Sequence, residues 1–170
     1  MTEIASLYSV GDWVVHYAYG IGQIRKIEEK PIDGETVPCF RVKTQNGAHW
    51  WFQSDKVDNP RVRPVASQEI LQDAEEELQK PIQDLTLDKN IWKKRIDEVV
   101  SNGDFIAIAQ IVRDLTLLKT KRRLNQIENK SLSLFRNRLL NEWSTTMDTD
   151  INTAQRKLKR YLQKQESTTA

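Results

Sequence analysis

Two glycines stand two positions apart in residues 10–27, VGDWVVHYAYGIGQIRKI, and a Gly-x-Gly is one element of nucleotide-binding loops. A loop that cradles phosphate must lead into a helix, because the helix N-terminus supplies the N–H groups that face the anion. Gly22 is followed by QIRKI, with two β-branched isoleucines and no third glycine or helical period. The pattern therefore predicts that Gly20 and Gly22 serve a tight turn between two strands.

Residues that commonly perform hydrolysis or hold metals are few. Two histidines, His16 and His49, and the single cysteine, Cys39, fall in predicted strands without the spacing of zinc ligands. Walker loops, nucleophile elbows and His-Glu-x-x-His are absent from the sequence. A lone cysteine excludes an internal disulfide and fits a reducing compartment. We therefore expect a protein that is not an enzyme and that uses neither a metal nor a cofactor.

The charge of the chain is small in total but unevenly placed. The 170 residues carry a net charge of +2, whereas residues 90–170 contain 16 basic and 9 acidic side chains. Such an excess predicts an anionic partner for the C-terminal part, although a solvated helical surface gives the same pattern. Neither a bilayer-length apolar run nor a signal peptide is present in the sequence. We expect a cytoplasmic protein that does not bind membranes.

The strongest binding signal in the first third is the pair Trp50 and Trp51. Side chains alternate between the two faces of a strand, so one of two adjacent tryptophans must point outward. Exposed tryptophan is enriched at protein interfaces, and a covering helix is the alternative.

The second signal is a run of four cations just before Leu124, with three more cations beside Trp92. The run is Lys119, Lys121, Arg122 and Arg123, and the three others are Lys93, Lys94 and Arg95. Phosphates are neutralised by such clusters, and the same cations can instead complement the C-terminal end of a helix. A tryptophan beside cations can enter a distorted minor groove, or it can belong to the core of its helix. We therefore predict DNA contacts at Trp92, Lys94, Arg95, Lys121, Arg122 and Arg123.

These residues must be positioned by two different kinds of structure. Short alternating runs with Asp-Gly and Asn-Gly turn signals predict a small β-barrel in the first part. Helical periodicity begins at Ser67, and Ser67, Asp104 and Asn125 are predicted N-caps, with Glu128 placed for a capping box with Asn125. The predicted class is α+β, with a β domain at residues 1–66, an all-α domain at residues 67–165 and a disordered tail at residues 166–170.

The order and spacing of several segments resemble the CarD/CdnL family of bacterial RNA polymerase-binding transcription regulators. The carriers in the β domain are Val10–Tyr17, Tyr19–Ile24, Ile27–Glu28, Ile32–Gly34 and Val62–Val65. Those in the helical domain are Trp92, Arg95, Ser101–Asp104, Ile111–Leu115, Leu124, Glu128, Leu132 and Glu142. Together they cover residues 8 to 145.

The resemblance implies a Tudor-like N-terminal barrel that docks on the RNA polymerase β-subunit lobe, partly by strand augmentation. Lys30, Ile32 and one of Trp50 or Trp51 are then expected at the polymerase contact. The C-terminal helices of the family bind promoter DNA at the upstream edge of the transcription bubble, where a tryptophan acts as a wedge. The resemblance thus implies a nucleoid-associated monomer that stabilises open promoter complexes.

Two alternatives to this function remain open at the level of sequence. The chain can be an RNA polymerase adaptor without a DNA role, whose helices recruit another protein. It can also be a Tudor/SH3-like RNA-binding protein. The cation excess of residues 90–170 favours DNA over the pure adaptor.

Overall fold

The computed structural model describes residues 7–56 and 59–168, and the chain divides into two compact units, Met1–Val65 and Ala66–Ala170. The first unit is an antiparallel sheet of five strands in the order β4-β3-β2-β1-β5. This is the predicted Tudor-like N-terminal domain, and the second unit is the predicted helical domain. The strands are β1 (Trp13–His16), β2 (Gly20–Ile32), β3 (Glu35–Thr44), β4 (His49–Gln53) and β5 (Val62–Pro64).

The two glycines near the N-terminus have separate structural roles in β2. Gly20 is the first residue of β2, directly after the turn from β1. Its φ of 79° is a backbone conformation that residues with a side chain rarely adopt. A Cβ at Gly22 would lie 2.5 Å from Cγ1 of Val42 and 3.0 Å from the carbonyl oxygen of Lys43. Gly22 therefore lets β2 and β3 approach closely, and the prediction of a turn between strands is confirmed.

The longest pairing in the sheet is the hairpin of β2 and β3. Asp33 and Gly34, both with positive φ, form its tip and place Ile32 opposite Glu35. A bulge between Ile24 and Lys26 shifts the register of β2. The hydrophobic core of this unit consists of Val14, Ile24, Phe40, Val42, Trp50, Phe52 and Val62.

The second unit contains five helices whose ends follow the local sequence. They are α1 (Gln68–Gln79), α2 (Lys89–Asn102), α3 (Phe105–Lys121), α4 (Gln126–Met147) and α5 (Ile151–Thr168). The predicted caps are confirmed: Ser67, Asp104 and Asn125 accept backbone N–H groups, and Glu128 completes a capping box with Asn125. Residues 166–168, which the sequence placed in a disordered tail, continue α5 instead.

The core of the helical unit is formed by one buried stripe from each helix. Its largest buried side chains include Trp92, Phe105, Phe135 and Trp143. Ala66, the first residue of the unit, is held by a hydrogen bond of 2.7 Å from its N–H to the buried carboxylate of Glu142. A buried carboxylate that accepts a backbone N–H is a strong hydrogen bond, so the start of the unit is fixed to α4.

Candidate functional site

One face of the sheet carries a cluster of charges around Glu28. Its carboxylate lies 2.5 Å from Nζ of Lys26 and 3.4 Å from Nη1 of Arg41. It also accepts a hydrogen bond of 2.9 Å from the indole N–H of Trp51. The hydrogen bonds from Lys26 and then Trp51 lower the pKa of the Glu28 carboxyl to about 2. Glu28 therefore stays ionised and joins three neighbouring strands.

The register of the sheet explains why these side chains meet. Lys26 on β2 pairs with Arg41 on β3, which pairs with Trp51 on β4. Glu28 stands two residues beyond Lys26 and so faces the same side of the sheet. Lys30 follows after two more residues, and its Nζ lies 4.4 Å from the ring centroid of Trp51. That distance places the ammonium within cation–π range.

Three of the four residues predicted to contact polymerase lie on this face. Trp51 is 41% exposed and Ile32 is 40% exposed, and Lys30 lies between them beside the indole. We call Lys30, Ile32 and Trp51 the sheet patch. Trp51 supplies an exposed aromatic ring of the kind that protein interfaces favour.

Trp50 does not belong to the sheet patch. It is 6% exposed and packs against Phe52 and His16 in the core, because alternation along β4 turns it to the opposite face from Trp51. Of the two tryptophans considered for the polymerase contact, Trp51 is therefore the exposed one, and Trp50 supports the sheet. Its indole N–H has no acceptor among the described residues.

Trp92 is a core residue in this structure. It is 1% exposed and donates a hydrogen bond of 2.7 Å from its indole N–H to the carbonyl oxygen of Thr86. Trp92, Ile96 and Val99 form the buried stripe of α2. Of the two interpretations of Trp92, the core is the one that its position supports, because a side chain this buried has no surface to offer to DNA.

Two of the predicted DNA-binding arginines are engaged in ion pairs within the helical unit. Nη2 of Arg95 lies 2.5 Å from Oδ2 of Asp114, and its guanidinium stands 5.1 Å from the ring centroid of Trp92. Arg122 makes two hydrogen bonds of 2.8 Å to the buried carboxylate of Glu128. This pairing raises the pKa of Arg122 and lowers that of Glu128. Both arginines hold helices together.

The remaining predicted cations are exposed, but they do not form one cluster. Lys94 lies on the outer surface of α2, in a groove that Lys93, Asp97 and Glu98 also line. Lys121 is exposed in the last turn of α3. Arg123 lines a cavity of about 560 Å³ at the beginning of α4.

That cavity brings together cations that are far apart in sequence. Lys89 from the first turn of α2 and Lys130 from α4 line it with Arg123. We call Lys89, Arg123 and Lys130 the α4-end cluster. The α4 N-terminus adds the positive end of a 22-residue helix dipole. Three cations and a helix N-terminus form a surface that favours phosphate.

Two family models match the chain in order. The model described as CarD-like/TRCF RID domain matches residues 8–66, and the model described as CarD, C-terminal domain, matches residues 73–159. The chain belongs to the CarD family. CarD-like proteins are non-catalytic regulators that interact with RNA polymerase, so this chain is an RNA polymerase-binding, transcription-related regulator.

The two matches divide the CarD-like chain as its structure does. The first covers the five-stranded sheet with its patch, and the second covers α2, α3 and α4 completely with more than half of α1 and the first half of α5. Residues 7–56 and 59–168 contain no group of three or more His, Cys, Asp or Glu side chains that could hold a metal ion. Within the same residues, each helix is too short or too polar to cross a bilayer.

Some residues that form or support the sheet patch and the α4-end cluster were not predicted from the sequence. The positions of Glu28 and Arg41 could have been predicted, because alternation along a strand places residues 26, 28, 30 and 32 on one face of β2. The sequence contains no signal for Lys89 and Lys130, because these side chains meet only when the first turns of α2 and α4 come together. A local pattern cannot report a contact between residues 41 positions apart.

Proposed function

We propose that this protein binds the RNA polymerase β-subunit lobe through its sheet and promoter DNA near the upstream bubble edge through its helices. In doing so it stabilises open promoter complexes. The observation that carries the proposal is the order of the two family matches, with a polymerase-interacting domain followed by the CarD C-terminal domain.

The position of β4 supports the polymerase contact. Within the described sheet β4 pairs only with β3, so its outer edge is open to a partner strand. Trp51 lies on this edge strand, and Lys30 and Ile32 extend the same face. An added strand supplies main-chain hydrogen bonds, and the sheet patch supplies specific side-chain contacts.

The exposed cations support the DNA contact. The α4-end cluster collects three cations, and Lys94 and Lys121 are exposed elsewhere on the same unit. We assign these residues to phosphates rather than base edges, because phosphate contacts fix register without reading sequence. Trp92, Arg95 and Arg122 position this surface from within the fold.

A polymerase adaptor without a DNA role is the second candidate. Ile91 is 52% exposed at the beginning of α2, and Ile127 is 53% exposed at the beginning of α4. Exposed isoleucines beside the α4-end cluster favour a protein partner there, since DNA backbones offer little apolar surface.

The lifetime of open complexes on a promoter, measured with purified bacterial RNA polymerase and the full chain, tests the proposal. The unmodified protein is expected to lengthen this lifetime. Lys30→Glu with Ile32→Ala should abolish the effect together with polymerase binding, whereas Lys89→Gln with Arg123→Gln should abolish it with polymerase binding intact. Lys56→Glu, an exposed charge change outside both surfaces, is the control. An adaptor without DNA contacts would bind polymerase without lengthening this lifetime, because the protein that it recruits is absent from the assay.

A further inference from the structure

A second cationic surface lies on α5, away from every residue assigned above. A groove of about 640 Å³ runs between α5 and the faces of α3 and α4. Three cations line it, namely Arg136 from α4 with Arg156 and Lys159 from α5. We call them the α5 groove cations. The remaining lining consists of Thr116, Asn152, Gln155, Leu162 and Gln163.

The spacing along α5 explains how the groove is formed. Residues 152, 155, 156, 159 and 163 recur every three or four positions and so share one face of the helix. Ala154, Leu158 and Leu162 are buried, which fixes the rotation of α5 against its neighbours. The polar residues are therefore held in a row by packing.

The groove holds positive charge with little compensation nearby. Helix α5 contains five basic residues and one acidic residue, Glu166. Among the described residues that line the groove, none is a carboxylate. The nearest acid on this stretch is Asp150, which caps α5 by accepting the N–H of Thr153. The pKa of Asp150 is lowered chiefly by that hydrogen bond and to a lesser degree by Arg156.

The positive surface continues over the outer side of α5. A second groove is lined by Thr153, Arg156, Lys157, Lys159, Arg160 and Gln163, so the two grooves share Arg156, Lys159 and Gln163. Among the described side chains, Lys157 is the member of this groove with a carboxylate at salt-bridge distance, 4.0 Å from Glu75. The four cations of this second groove lie between Arg156 and Arg160, along about 6 Å of helix, and Arg136 adds a fifth from α4. Five cations on two helices exceed what one small anion needs and suit a chain of phosphates.

We propose that the α5 groove cations form a second DNA-backbone contact of this protein. Arginine and lysine bind the phosphates, and the side-chain amides of Asn152, Gln155 and Gln163 donate to phosphate or sugar oxygens. The contact is independent of base sequence and depends strongly on salt. The inference rests on the proposed DNA role of the helical unit.

The α5 surface is separate from the α4-end cluster. Within the described helices, α5 packs against α1, α3 and α4 and does not contact α2, which contributes Lys89. Along α4, Arg136 lies ten residues from Gln126, or about 15 Å. Two cationic surfaces at this separation engage different phosphates, so their contributions to the salt dependence add.

Fluorescence anisotropy of a labelled duplex, titrated with the full chain at several salt concentrations, tests the proposal. The variant Arg136→Gln, Arg156→Gln, Lys159→Gln should reduce the slope of log K against log salt by about two to three units. The control Arg25→Gln, Lys56→Gln, Arg61→Gln removes the same charge from exposed positions of the sheet unit and should leave the slope unchanged. A variant of the α4-end cluster should lower the slope independently, and the two losses should sum.

The other outcomes distinguish a failure of the second DNA contact on α5 from a failure of the proposed DNA role. If the α4-end variant weakens binding and the α5 variant equals the control, the second contact is wrong and the proposed function stands. If the unmodified chain binds no duplex, both are wrong.

Nuclear magnetic resonance of the side-chain amides of Asn152 and Gln163 gives a direct reading, with inorganic pyrophosphate as a parallel probe. Shifts with pyrophosphate but none with duplex would assign the groove to a small anion and overturn the proposal.

Discussion

The indole N–H of Trp51 on β4 donates to the carboxylate of Glu28 on β2 at 2.9 Å, across the intervening strand β3. This hydrogen bond orients the tryptophan that we place at the polymerase contact. Lys30 then stacks over the exposed ring. The side chain of Glu28 is 21% exposed, so the carboxylate supports the sheet patch from beneath without forming its surface.

Replacing Glu28 should change how the stability of the sheet depends on pH. The folded pKa of about 2 lies below the ordinary value of 4.5, so the ionised carboxylate stabilises the fold. This stability is complete above the unfolded pKa and is lost as the pH falls from 4.5 through 2. In urea titrations the free energy of unfolding of Glu28→Gln should fall below that of the unmodified protein by a constant amount at neutral pH. The difference should shrink below pH 4.5; a difference that grows there would contradict the assignment.

The two adjacent tryptophans of β4 should respond oppositely to truncation. Trp50→Ala opens a cavity in the sheet core and should cost about 3–5 kcal/mol of unfolding free energy. Trp51→Ala removes one hydrogen bond and an exposed ring, so its cost should be about 1 kcal/mol. Polymerase affinity should fall in Trp51→Ala while the protein stays folded. Calorimetry and polymerase binding on the same samples separate the two effects, and equal melting of both variants would show that our assignment of faces is wrong.

Removing Arg122 should destabilise the helical unit more than removing Arg123, its neighbour in sequence. Arg122→Gln leaves the buried carboxylate of Glu128 without its guanidinium and should cost about 3 kcal/mol. Arg123→Gln alters an exposed side chain and should change stability by less than about 0.5 kcal/mol while weakening DNA binding. Adding Glu128→Gln to Arg122→Gln should recover part of the loss, because the unpaired charge is gone. Purely additive losses would argue against the ion pair.

Local signals in the sequence were sufficient for the ends of elements. The N-caps of α1, α3 and α4 and the hairpin tip at Asp33-Gly34 depend on hydrogen bonds within four residues, so the sequence contains all the partners. The alternation of β4 predicted that one tryptophan points outward. It did not predict which one, because the phase of a strand is set by the sheet that packs on it.

The cations show why the candidate site was harder to predict. Arg95 stands 19 residues from Asp114, its partner, and a count of basic residues treats it as available to DNA. The pairing of Arg122 with Glu128 depends on how α3 turns into α4. Sequence alone therefore overestimates the cations that are free for phosphate, and it misses those that meet through packing, such as Lys89 and Lys130.

Trp92 is a candidate wedge by sequence, because cations lie beside it, yet the structure gives it a core position. The ring is buried in the stripe of α2, and the indole N–H is satisfied by the carbonyl of Thr86. Trp92→Ala should therefore cost about 3–5 kcal/mol and lower the melting temperature markedly. Trp92→Phe keeps most of the packing but leaves the Thr86 carbonyl without its donor, so about 1–3 kcal/mol should be lost.

DNA binding distinguishes this core role from a wedge. Trp92→Phe, measured well below its melting temperature, should bind fork-junction and plain duplex DNA as the unmodified protein does, since the exposed cations are unchanged. A wedge would instead lose affinity for fork-junction DNA selectively, because insertion is favourable only where base pairs are already opening. Lys94→Gln on the same helix is the matched comparison. It should leave melting unchanged and weaken binding to both DNAs equally, as loss of a phosphate contact requires.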